Sequence, residues 1–301
     1  MYGNLWKFDV RAESKDGWGI ASGAPFFVAC AVAGPSCDPA DRQPITAKPT
    51  AGAVDAIQGD GIMLYFGTGK YFETGDNIIG ATPQMQTFYG LWDKTTKHTL
   101  ADPITDRANL QAQQITFEGY PTTVGGTTSS LLLRLVSEEP VCYAHTSKDC
   151  TSTSPLKTGW LLNLAPPDNT AKSERVISAP LVRGDLIIFA TLTPNPDPCE
   201  AGGTGILMEL DATTGQAASG NPAFDVDNNG IVDKNDEVVV DGKVHAPSGA
   251  DLDIGIFKTP GVIESPTLPV EYKYESGSTA AIGVVVNRNR IPNRRSWMQL
   301  R

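Results

Sequence analysis

Residues 225 to 236 read Asp-Val-Asp-Asn-Asn-Gly-Ile-Val-Asp-Lys-Asn-Asp, and their spacing suits the holding of Ca²⁺. Oxygen-bearing side chains fall at loop positions 1, 3, 5, 9 and 12, namely Asp225, Asp227, Asn229, Asp233 and Asp236. Gly230 occupies position 6, where the chain must bend sharply. Ile231 occupies position 7, where an apolar side chain is harmless because only the main-chain carbonyl would ligate. Asn and Asp also gather in ordinary acidic turns, but that accounts for composition and not for register. Four carboxylates at this spacing repel one another unless a cation lies between them. Position 12 is Asp where Glu is usual, so the closing side chain is shorter. The run Glu237-Val-Val-Val-Asp-Gly that follows reads as a strand, so the loop is expected between strands, as a structural or tuning site and not a helix-opening sensor.

The elements that must position this loop are legible in composition. A chain of 301 residues can bury a large core, and 30 Gly, 22 Pro and 19% charged residues indicate many short strands joined by turns, an all-β class. The formal charge of −10 argues against nucleic acid and against an anionic bilayer, which call for clustered Lys and Arg. No run reaches the eighteen apolar residues of a membrane helix, so no membrane insertion is expected. The first residues carry neither a basic nor an apolar leader segment, which suggests either a cytosolic protein or the downstream piece of a longer secreted chain. Cys30 with Cys37, and Cys142 with Cys150, sit close enough to staple short loops, and Cys199 is left over. His98, His145 and His245 are scattered and read as surface or loop residues.

Four segments share an apolar strand, three of them reaching an Asp: Gly3 to Asp9, Phe88 to Thr96, Gly159 to Leu164 and Gly205 to Gly215. Strand, turn, strand and a closing Asp-x-Thr-x-Gly is how a propeller blade reads, although a β-sandwich shares the same periodicity. The expectation is a modified β-propeller spanning 1–301, an incomplete ring of about four blades with long inserted loops. Those loops are placed at Ala51 to Gly61, Pro140 to Pro155 and Pro194 to Gly203. Arg183-Gly184-Asp185 lies between two apolar runs and reads as a hairpin turn, not a receptor-binding tripeptide. The strand aromatics read as core, and the basic end from Arg288 to Arg301 as a solvated tail.

Several of these stretches together resemble the C-terminal domain of PilY-type type IV pilus tip-associated proteins. The matching residues are Tyr2 to Asp9, Met63 to Tyr71, Gln86 to Asp93, Ile177 to Asp185, Thr204 to Asp211 with the acidic loop behind it, and Arg294 to Leu300. The resemblance implies a quinoprotein-like propeller outside the cell at the pilus tip, with pilins or other pilus components as partners and a host or abiotic surface as target. It implies support of pilus assembly against retraction, twitching motility and adhesion, controlled by calcium. Carried over, the ligands are Asp225, Asp227, Asn229, the Ile231 carbonyl and Asp233. The alternative is a quinoprotein-type dehydrogenase. Such enzymes resemble this chain in blade pattern, but they carry a pair of adjacent cysteines, which this chain lacks. A non-enzymatic protein is therefore expected.

Overall fold

The structure, a computed structural model, describes residues 3–53, 61–96, 98–197, 201–218 and 222–288. Among the described residues, regular structure is strand throughout, apart from four single-turn 3-10 segments. None of their helices is long and apolar enough to cross a membrane. The all-β expectation stands.

Two large sheets carry the core. The first has five strands in the order Thr50–Gly52, Ile62–Gly67, Thr87–Asp93, Gly159–Asn163 and Gln111–Gln113, the last pair parallel. The second has six antiparallel strands in the order Leu181–Arg183, Leu186–Ala190, Ile206–Asp211, Gly249–Asp251, Leu133–Val136 and Ile115–Gly119. A C-terminal meander follows, Gly261–Glu264, Val270–Ser276 and Ile282–Arg288. The strand Val238–Val240, just after the acidic loop, pairs with Thr122–Thr123 and Lys243–His245.

These sheets do not repeat the four proposed blade-closing strands as equivalents. Gly159–Asn163 pairs directly with Thr87–Asp93, Leu161 opposite Tyr89, so two of the supposed repeats are neighbours in one sheet. Both are buried on two faces, and a strand buried on two faces carries the same apolar signature wherever it sits. Gly3 to Asp9 splits into two short ribbons that leave Trp6 and Phe8 exposed, so these two aromatics are not core. Ala51 and Gly52 belong to a strand and not to a loop, while 54–60 lie outside the described residues. Pro140 to Pro155 is free of strands, as expected. The Pro194 to Gly203 loop is closed at its ends by pairing of Thr193–Pro194 with Gly203–Thr204. Cys30–Cys37 and Cys142–Cys150 are disulfides; Cys199, 289–301 and Tyr2 lie outside the described residues. Gly184 and Asp185 form the hairpin turn between Leu181–Arg183 and Leu186–Ala190, and Arg183 is held by Glu264 and Glu271, so the tripeptide is a turn.

The two large sheets are docked through Trp160. Its indole N–H donates to the Ala212 carbonyl at 3.0 Å, and the Tyr65 hydroxyl donates to the same oxygen at 3.0 Å. The Trp160 ring lies against Gly215, where a Cβ would stand 2.3 Å from a ring carbon and where φ is +69°, so glycine is required twice over. Asp211 shapes that turn by accepting bonds from the amides of Thr213 and Thr214 and from the Thr214 hydroxyl. The aromatic rings of Phe88 and Phe189 stack across the same interface, centroids 3.7 Å apart. Deleting Trp160 opens a cavity and strands its partners, so Trp160→Ala is expected to cost about 3–5 kcal/mol in denaturant unfolding. Trp160→Phe, which keeps a ring and loses one hydrogen bond, is expected to cost clearly less.

The meander turns its charged face inward. Lys273, wholly buried, donates to Glu209 of the six-stranded sheet at 2.9 Å, and Asn287 donates to both Glu209 oxygens. Glu275 is also buried, yet neither carboxyl oxygen has a hydrogen-bond partner. Burial and the neighbouring Glu209 push its pKa up to about 8, against the pull of Lys273. An unfolded Glu ionises near pH 4.5 while the folded one keeps its proton to about pH 8. Stability is therefore full below the lower value and falls as pH rises through this window. Glu275→Gln is expected to flatten that slope and to exceed the wild type by a few kcal/mol at pH 8, read by denaturant unfolding across the pH range.

Candidate metal centre

The acidic loop begins where Ala223 and Phe224 are buried in the second sheet's core cluster, and it ends in a 3-10 turn, Lys234–Asp236. That short turn stands where a helix would begin in a helix-loop-helix site. Glu237 then leads into Val238–Val240, in keeping with the β-rich exit read from the sequence. The loop's entry is fixed from a distance: the Asp225 amide donates to the Val286 carbonyl of the last meander strand at 3.2 Å. Gly230 adopts φ +82° and permits the sharp central bend.

Carboxylate oxygens of Asp225, Asp227 and Asp236 lie within 4.8 Å of one another. Asp236, at the last loop position, is wholly buried. Its Oδ1 accepts from the amides of Val226 at 2.7 Å and Asp227 at 3.2 Å, and its Oδ2 from the Asp233 amide at 2.8 Å. Both oxygens of Asp225 are likewise engaged, by the amides of Asn229 at 3.0 Å and Gly230 at 2.8 Å. Asp227 accepts from the amide and the side-chain NH₂ of Asn229. Burial, with the Asp227 charge beside them, pushes the carboxyls of Asp225 and Asp236 above the usual range, while the loop amides pull the other way.

Not every residue in the expected ligand set joins the cluster. Asp233 instead caps the 3-10 turn, accepting from the Asn235 amide at 2.7 Å. Asn229 turns its Oδ1 to the Ile231 amide at 2.7 Å, and the Ile231 side chain is exposed. The donor set is nevertheless all oxygen, with carboxylates, an amide and a main-chain carbonyl, which is the set a hard divalent cation takes and a thiophilic metal does not. Asp225, Asp227 and Asp236 could hold such an ion directly, and Asn229, the Ile231 carbonyl and Asp233 could complete the shell by small rotations or through water. Sequence reading missed Val286, which anchors the loop from 61 residues downstream of Asp225; no local signal marks it.

The family model of the PilY1 beta-propeller domain matches residues 1–126. The Type IV pilus biogenesis factor PilY1 of Pseudomonas aeruginosa (strain UCBPP-PA14) is 34% identical over 257 residues, 77% of this chain and 21% of that protein. The crystal structure of the Pseudomonas aeruginosa PilY1 C-terminal domain superposes with a TM-score of 0.74 at 26% identity, over 97% of this chain and 56% of that one. The chain belongs to the PilY1 family. A Type IV pilus biogenesis factor PilY1 homolog of Xylella fastidiosa (strain Temecula1) is 32% identical over 73% of this chain and 13% of that protein. The chain thus spans about a fifth or less of the length of these curated relatives. The propeller expected from the strand-and-turn repeats is the fold of this PilY1 family member, with sheets of five, six, three and three strands and several two-stranded ribbons among the described residues.

Within the loop, Asp236 and Asp227 have different structural weights. Asp236→Ala leaves three amides without their acceptor, that of Val226 buried and those of Asp227 and Asp233 part-buried, and the loss of a buried acceptor alone costs about 1–3 kcal/mol. Asp227→Ala removes a carboxylate whose partners lie in exposed loop. In a chelator-containing buffer, Asp236→Ala is expected to lower the melting temperature well below that of Asp227→Ala; equal melting would show that the buried carboxylate does not organise the loop.

Proposed function

We propose that this chain is the calcium-binding part of a non-enzymatic type IV pilus biogenesis factor. It acts outside the cell at the pilus tip, supports pilus extension, and through it twitching motility and surface adhesion. The observation that carries this reading is the convergence of Asp225, Asp227 and Asp236 in the twelve-residue register of a calcium loop, in a chain of the PilY1 family. Its relatives' names supply the pilus role. Two disulfides suit an oxidising compartment, and the acidic surface suits a calcium-rich medium. Partners are pilins or other pilus components, and the surface contacted is that of a host or an abiotic material.

When bound, calcium neutralises the crowded carboxylates. The residues of the chain do the rest: Asp236 keeps the loop's two ends together, Gly230 supplies its bend, and the Asp225 amide ties it to the last meander strand. Ordering of the loop then stiffens the neighbouring strand Val238–Val240 and its partner Thr122–Thr123.

A ligand that binds only the folded state at a hundredfold its dissociation constant stabilises by about 2.7 kcal/mol. Calcium at that excess is expected to raise the melting temperature of the wild type by several degrees, and to leave Asp225→Ala/Asp227→Ala unmoved. Absence of a shift in the wild type, or an equal shift in the double variant, removes calcium from this site.

A further inference from the structure

Among the described residues, the last meander strand, Ile282–Arg288, is an open edge. Its neighbour Val270–Ser276 turns alternate backbone groups to its two sides, and the bond from the Ser265 amide to the Val270 carbonyl shows that Val270, Tyr272 and Tyr274 face Gly261–Glu264. Glu271, Lys273 and Glu275 therefore face Asn287, Val285 and Gly283, and the hairpin bond from the Gly277 amide to the Ala281 carbonyl keeps the same phase. By alternation the amides and carbonyls of Ile282, Val284 and Val286 point away from the sheet. Val286 uses its carbonyl to accept from the Asp225 amide. Among the described residues, the outward groups of Ile282 and Val284 meet no such partner.

Natural edge strands are usually guarded by charge, proline, a bulge or a covering segment. The opposite edge of this meander has Glu264 paired with Arg183. Ile282-Gly-Val-Val-Val has no charge and no proline, and Ile282 is 70% and Val284 51% exposed. Alongside runs a groove of about 290 Å³, lined by residues 282–286 of both alternating sets, which places it along the strand's edge and not over one face. Leu131, Leu252, Ile254 and Phe224 form its apolar wall, and Asp225 and Asn228 stand at the end where the ladder is already used.

We propose that this edge receives an extended segment of another protein by strand addition. The segment supplies main-chain hydrogen bonds to Ile282 and Val284, apolar side chains at alternate positions into the groove, and basic side chains outward. Charge selects the occupant: the chain carries a formal −10, so a second acidic copy is repelled where a basic segment is attracted. Backbone pairing provides affinity and the alternating pockets provide selectivity, the general logic of strand addition. The site uses backbone groups and apolar side chains, so it stands whether or not calcium occupies the neighbouring loop.

The test uses a fluorescent peptide of alternating lysine and valine, acetyl-Lys-Val-Lys-Val-Lys-Val-Lys-amide, titrated into the protein by anisotropy, with amide hydrogen exchange as the second readout. Saturable binding is expected, with slowed exchange at Ile282 and Val284. Val284→Pro, which removes an outward amide and no ladder bond, is expected to weaken binding at least tenfold while melting near the wild type. Should that variant unfold, the same peptide N-methylated at every residue, which keeps every charge and blocks whichever amides face the edge, must fail to bind the wild type. No saturable binding, equal binding of the N-methylated peptide, or protection located elsewhere overturns the proposal. Dimerisation that protects the same amides without peptide overturns it in favour of a second copy.

Discussion

The ion-paired contact between Lys273 and Glu209, with Asn287 donating to the same carboxylate, is the constraint on which the arrangement around the loop depends. Both charged side chains are wholly out of water. A buried charge is tolerated only when paired and hydrogen-bonded, so either partner alone would be strongly disfavoured. The contact therefore fixes where the meander sits on the six-stranded sheet, with little freedom to slide. Asn287 also donates to the Ala223 carbonyl, just ahead of the loop, and the adjacent Val286 carbonyl receives the Asp225 amide. One strand thus holds both the sheet interface and the loop's first residue.

The loop itself is organised around Asp236, a carboxylate that is out of water and whose charge is met by main-chain amides. Asp236 collects three amides from the start and the end of the turn, so its negative charge is spread over main-chain dipoles. Asp225 does the same for the central bend. Burial raises the pKa of Asp225 and Asp236, and the neighbouring Asp227 charge adds to it, against the pull of the loop amides. A divalent cation offsets both effects, which is why a geometry built largely from loop amides still suits a metal. The open edge beside it is a consequence of the same tether, because Asp225 occupies only one end of the ladder that Ile282–Arg288 presents.

Much of this is legible in the sequence. The twelve-residue register is local, and the structure brings its first, third and last carboxylates together. Cys30 with Cys37 and Cys142 with Cys150 were readable because short separations leave few other partners. The Arg183-Gly184-Asp185 turn followed from small polar residues between two apolar runs. The blade repeat was less faithful. Phe88 to Thr96 and Gly159 to Leu164 look alike because each is buried on both faces, but that similarity is blind to whether they lie in one sheet or two. Trp6 and Phe8 read as core because they are aromatics of an apolar strand segment, and they lie exposed.

Sequence alone determined the all-β class, the net acidic charge, the short-range disulfides and the order of oxygen donors along the loop, because each depends on composition or on neighbours within about a dozen positions. Tertiary structure decided which donors converge. It turned Asp233 to capping and buried Asp236, since that choice rests on what the loop packs against. It also decided that Val286 would anchor Asp225 and that Glu209 would meet Lys273, contacts across 61 and 64 residues of chain. Long-range pairing of this kind is set by how the sheets stack, and the stacking rests on shape and charge matching between segments that carry no sequence mark of one another.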